Sequence, residues 1–170
     1  MLAFLFRGLT ADTASGEALF NALTAEARRP VWFVEGEVPD TLDGRFAVLA
    51  TITALALVRL ERESEAGNRA SVALTERFIT VMESEHRELG LGDPTLGKVV
   101  RKLVGMLARR TEQWRAAVAG KADWTTTTGG SLYKATVSSE ARDYAGAALR
   151  DFWASLEATP IEKLMNGDIG

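Results

Sequence analysis

An all-α, single-domain fold is predicted by two features of the 170-residue chain. Apolar residues recur at helical spacing almost throughout, and no run of alternating β-branched residues, internal repeat or linker-like block interrupts them. Hydrophobic residues make up 46% and charged residues 25%, which suits one globular domain over residues 1–170 with enough core to fold without a staple. The expectation is a bundle of about six helices around a buried central helix at about residues 42–62.

The elements follow in order. A first helix is predicted from about Ala14 to Arg28, with Leu19, Phe20 and Leu23 on one face and Pro30 ending the run. Trp32 and Phe33 are expected to pin the connection that follows. Val38-Pro39-Asp40-Thr41-Leu42-Asp43-Gly44-Arg45 signals the next helix, with Asp40 or Thr41 as its cap. Its apolar run, Phe46 to Val58, is thirteen uncharged residues between Arg45 and Arg59. A bilayer span needs about 20, so this is read as a core helix buried on every side.

A third helix is predicted over 68–89, with Val72, Phe78, Ile79 and Met82 inward, broken by Gly90 and Gly92. The fourth starts with Asp93 as N-cap and Pro94 at the first helical position and runs to about Ala119. Asp123 to Tyr133 is rich in Thr and Gly, poor helix formers, so a weak helix and an ordered loop are both compatible. Ser138 or Ser139 then caps a helix whose face is Ala141, Tyr144, Ala145, Ala148, Phe152 and Leu156, and Pro160 opens a short terminal turn through Leu164 and Met165.

Several chemistries are disfavoured. Zero Cys and one His rule out a zinc site built from Cys and His and a CxxC haem attachment, and no metal, cofactor or catalytic set is expected. A net charge of −3 gives no global drive toward DNA or an anionic membrane. The N-terminus has six apolar residues and no basic leader, so no secretory signal is predicted and a cytoplasmic location is expected. Gly92-Asp-Pro-Thr-Leu-Gly97-Lys98 matches the GxxxxGK spacing of a phosphate loop, but Val99 stands where Ser or Thr is needed and a helix stands where a strand is needed. His86, among Glu83, Glu85, Arg87 and Glu88, has no second His four residues away and is read as part of a solvated helix end.

The fourth helix carries the binding signal. Lys98, Lys102 and Arg109 fall within about 40° of one another at 100° per residue, with Arg101 on the flank and Leu96, Leu103, Leu107 and Trp114 opposite. From Asp93 to Gly120 there are six Lys or Arg against two Asp or Glu. This stripe is either an ordinary solvated surface or a docking patch for an acidic partner, RNA or lipid head groups. An enzyme or ligand carrier with an inter-helix pocket lined by Trp32, Trp124 or Tyr133 is a further alternative.

Two ordered blocks stand out. The first is Arg28-Arg29-Pro30, then Val38 to Phe46 with Pro39, Asp40, Gly44 and Arg45, ending at Arg59-Leu60. The second is Arg87-Glu88-Leu89-Gly90-Leu91-Gly92-Asp93 with Gly97 to Leu103. Together they span about residues 25–120 and, in this order, resemble the ubiquinol–cytochrome c chaperone family, with Leu132-Tyr133-Lys134 echoing a later family segment. The resemblance departs from the pattern at Ala50-Thr51-Ile52 and around Leu107 to Arg110, as in a divergent bacterial branch.

The resemblance implies a non-enzymatic assembly factor for the respiratory cytochrome bc complex, complex III. Its client would be immature cytochrome b or another complex III subunit, or the ribosome making it, with a small helper protein in mitochondrial members. It would work in the cytoplasm beside the inner membrane, without a cofactor. Lys98, Arg101, Lys102 and Arg109 are the expected partner contacts. Gly90, Gly92 and Asp93 are read at least equally well as turn geometry.

Overall fold

The computed structural model describes residues 16–170. The N-terminal reading, including the absence of a signal segment and the start of the first helix, lies outside them. Among the described residues there are seven α-helices, one 3-10 turn and no strand: α1 (16–27), the 3-10 turn Pro30–Trp32, α2 (Leu42–Leu60), α3 (Glu65–Glu88), α4 (Asp93–Val118), α5 (Trp124–Leu132), α6 (Ser139–Ala158) and α7 (Ile161–Met165).

The long apolar run forms the centre. In α2 every residue from Ala50 to Leu60 is buried, because α3, α4, α5 and α6 all pack on it. Thr41 caps its N-terminus, its Oγ1 accepting from Gly44 N at 3.2 Å. Asp40 instead pairs with Arg45 at 2.6 Å, tying the incoming loop to the first turn. At the other end Arg59 is only 7% exposed: Nε and Nη2 donate to Leu156 O (2.9 Å) and Thr159 O (3.1 Å), and Nη1 meets Glu63 at 2.8 Å. The guanidinium thus satisfies carbonyls at the end of α6, where no further helical turn supplies N–H partners.

α3 lays Gly67, Ala70, Leu74, Phe78 and Met82 on the core, and Phe78 sits between Phe20 and Phe46 at 6.4 and 6.1 Å. Val72 was expected inward but is 58% exposed, and Ile79 is only half-buried. The rows four residues apart define the face, and Val72 lies about 200° from Leu74. Tyr144 is likewise 40% exposed, about 100° from the centre of the Ala141, Ala145, Leu149, Phe152 and Leu156 face of α6.

The corner between α3 and α4 turns on Gly90, whose φ of 86° is the left-handed conformation glycine tolerates. Gly92 is ordinary extended backbone and is itself the N-cap position, its carbonyl accepting from Leu96 N at 2.8 Å. Asp93 is therefore the first helical residue of α4 and not its cap. Its carboxylate favours the helix N-terminus and meets Arg87 at 3.9 Å.

The Thr-rich segment folds as α5. Asp123 Oδ1 accepts from both Thr126 N and Thr126 Oγ1 at 2.7 Å, and Trp124 packs edge-on against Trp114 at 4.9 Å. Ser138 caps α6, accepting from Ala141 N at 3.1 Å.

Candidate functional site

The first turns of α2, the last turns of α3, the first half of α4 and the end of α5 converge on a groove of about 440 Å³. Since the N-terminal end of α2 shares it with the C-terminal end of α3, and α3 with the early part of α4, the three helices run antiparallel in succession. The apolar lining is Phe46, Met82, Val99, Leu103 and Met106, and its lips are Leu42 and Leu89, 62% and 63% exposed. Two large apolar side chains thus stand open at the rim of the cleft.

The wall that brings the α5 end to the groove is held by long-range bonds. Tyr133 Oη donates to Gly36 O at 2.5 Å, Lys134 pairs with Asp43 at 2.7 Å, and Ser138 Oγ donates to Glu37 Oε2 at 3.1 Å. Burial pushes the Tyr133 hydroxyl up to about 12; the charge of Glu37 adds to this and Arg142 opposes it. The Lys134 ammonium holds the Asp43 carboxyl below its ordinary value, with a small contribution from Lys102.

Gly44 lets this wall approach. A Cβ there would overlap the Pro39 carbonyl oxygen and lie 2.9 Å from the Pro39 carbon. Pro39, Asp40, Gly44 and Arg45 thus shape the entry loop, while Arg87, Gly90 and Asp93 shape the opposite corner. Glu88 is exposed at the end of α3. The two sequence blocks, separated in the chain by most of α3, meet across one cleft.

The four expected partner contacts divide. Lys98, Arg101, Lys102 and Arg109 are all exposed on α4 and form no ion pair among the described residues. Lys102 alone lines the groove; the other three continue along the outer face. Two further cations of the same segment serve the fold: Arg115 is held by Glu61 (2.8 and 2.7 Å) and Glu112, and Arg110 donates to Ser131 O at 2.6 Å.

His86 was read as a solvated helix end, but it is half-buried in the groove wall. Its Nδ1 lies 2.7 Å from Met82 O, and since a carbonyl only accepts, Nδ1 carries the proton. Of the aromatics expected to line a pocket, Tyr133 does. Trp32 and Trp124 are core residues instead, donating to Glu26 O and Gly146 O at 2.9 Å. The phosphate-loop spacing lies in the helical turns at the start of α4, with α3 before it and no strand among the described residues.

Sequence reasoning missed Leu42, Leu89, Met106 and Arg110. Leu42 and Leu89 stand at helix ends, where periodicity says least. Arg110 did carry a signal: it falls about 40° from the centre of the apolar face of α4, an unusual place for a charge.

The family model described as ubiquinol-cytochrome C chaperone matches residues 35–169, which include every wall of this groove. The chain belongs to the ubiquinol-cytochrome C chaperone family. The match takes in α5 and α6, beyond the two blocks legible in the sequence. The crystal structure of the Cbp3 homolog from Brucella abortus has the same fold, with a TM-score of 0.82 at 27% identity over 100% of this chain and 96% of that one. Among curated protein sequences none matches. No described helix is long and apolar enough to cross a membrane.

Proposed function

We propose that this chaperone-family protein is a non-enzymatic assembly factor for the ubiquinol–cytochrome c oxidoreductase, complex III, and that its groove holds an apolar segment of immature cytochrome b. The observation that carries this reading is the convergence of both family blocks on one apolar cleft with uncovered lips. Met82 and Met106 suit it to a nascent segment, since the thioether side chain adapts to irregular apolar surfaces. Lys98, Arg101, Lys102 and Arg109 extend the site as a cationic bank facing the client, its ribosome or a helper protein. The protein works beside the inner membrane, where the client inserts.

The test is a reduced-minus-oxidised haem spectrum of membranes with immunodetection of complex III, from cells carrying wild type, no gene, L42S/L89S or K98E/K102E. All four changed side chains are exposed, so both variants keep the fold. The expected result is parallel loss of b-type haem and complex III without the gene, partial loss in each variant, and restoration by wild type. Normal complex III in the deletion strain under respiratory growth would sink the reading.

The cleft volume also fits a small-ligand carrier, whose sites occupy about 300 to 1,000 Å³. Thermal stabilisation by metabolites or quinones, abolished by L42S/L89S, would favour that reading.

A further inference from the structure

Arg110 stands in the groove wall with its charge uncompensated. Ser131 O takes one of its five N–H donors, at 2.6 Å, and its buried Nε has no hydrogen-bond partner. No carboxylate among the described residues pairs with it. Burial and the adjacent Arg109 both push its pKa below the ordinary arginine value, yet a guanidinium stays charged near neutrality. Two other arginines drawn into the fold are matched, Arg59 by Glu63 and Arg77 by Glu17; Arg142, whose Nε is likewise buried without a partner, does not line the groove.

Two acids line the same groove and leave Arg110 alone. Asp43 is engaged by Lys134, and Glu85 forms no ion pair among the described residues. Placing a cation in an apolar wall is costly unless a counter-charge arrives. Ser131 is itself held by Trp114, whose Nε1 donates to Ser131 Oγ at 3.1 Å, so the guanidinium is docked on a fixed carbonyl before any partner binds. Nε is buried, so the Nη groups are the donors left for the two oxygens of a carboxylate, which a guanidinium can bind in a fork.

We infer that the groove selects a helix with an apolar docking face that carries one carboxylate, seated on Arg110 with Lys102 beside it. This rests on the groove being the client site. A protein helix fits better than a free amphiphile for two reasons. The exposed leucines carry the apolar surface beyond the cleft, and the unpaired cations from Lys98 to Arg109 extend about 16 Å along α4, longer than a head group needs. The carboxylate makes recognition selective: an apolar segment lacking it leaves Arg110 desolvated and unpaired, and is disfavoured for that reason.

The test uses two fluorescein-labelled 18-residue amphipathic helical peptides, leucine on one face and glutamine on the other, with Glu or Gln at the centre of the leucine face. Fluorescence anisotropy with the full chain at pH 7.5 is expected to show the Glu peptide binding about tenfold tighter. That ratio should fall to about one in R110Q, and L42S/L89S should weaken both peptides alike. Should R110Q fail to fold, R110K is read instead, with a reduced ratio expected because a lysine cannot offer the fork. Equal binding of both peptides by wild type, or a ratio unchanged in the Arg110 variant, overturns the inference while leaving the groove as an apolar site. Binding of neither peptide, or binding indifferent to Leu42 and Leu89, overturns the groove reading as well.

Discussion

The same substitution, glycine to alanine, should have opposite signs at two positions bordering this site, and the difference tests how the entry loop is built. At Gly44 the new methyl would overlap the Pro39 carbonyl oxygen, lie 2.9 Å from its carbon and 3.4 Å from Val38 Cγ1. Backbone atoms cannot swing aside as a side chain does, so the loop must lift. Overpacking of this kind costs about 1 to 3 kcal/mol. Lifting Pro39 also disturbs Thr41, whose hydroxyl caps α2, for about a further 1 kcal/mol. Against this stands a gain of about 0.5 to 1 kcal/mol for replacing a helical glycine. The net is a loss of roughly 2 kcal/mol, or about 4 to 8 °C in Tm for a chain of this size. At Gly97, within α4, an added Cβ meets nothing within 4 Å. Only the propensity gain remains, so Gly97→Ala should raise Tm by about 1 to 4 °C. Thermal unfolding followed by circular dichroism at 222 nm reads both. A Gly44→Ala protein as stable as wild type would show that the loop does not press on α2, and the shape assigned to that wall would be wrong.

Three further outcomes follow from the same contacts. In a Tyr144→Phe background Tyr133 is the one remaining tyrosine, and its 295 nm absorbance should titrate near 12. Because the folded pKa lies above the unfolded value of about 10, the stability it contributes is intact below pH 10 and is lost as pH rises toward 12; a midpoint near 10 would contradict its burial. Asp123→Ala removes the acceptor of Thr126 N and should cost about 0.5 to 2 kcal/mol, seen as faster amide exchange confined to α5. Arg59→Met strands the Leu156 and Thr159 carbonyls and breaks the pair with Glu63, so denaturant melts should show a loss of about 2 to 4 kcal/mol; a change below about 0.5 would show that water replaces the guanidinium there.

The sequence by itself determined what local chemistry dictates. Thirteen uncharged residues are too few for a bilayer and too apolar for a surface, so α2 had to be the core. Leu96, Leu103, Leu107 and Trp114 recur at helical spacing, so the buried face of α4 and its cationic back are legible from the sequence. Two ordered blocks carried the family. Tertiary structure decided three other things. Helix α5 forms although four threonines and two glycines are poor helix formers, because Asp123 caps it, Trp124 wedges against Trp114 and Trp124 Nε1 donates to Gly146 O, tertiary contacts that propensity does not register. Val72 and Tyr144 face outward because the four-residue rows seated on α2 define each buried face, and single apolar residues off those rows have nothing to cover them. The groove arises from pairings such as Tyr133 with Gly36 and Lys134 with Asp43, more than ninety residues apart. Periodicity reports which face of a helix is wet or dry. It does not report which dry residues another helix leaves uncovered, and that physical limit hid Leu42, Leu89 and Arg110 from the sequence.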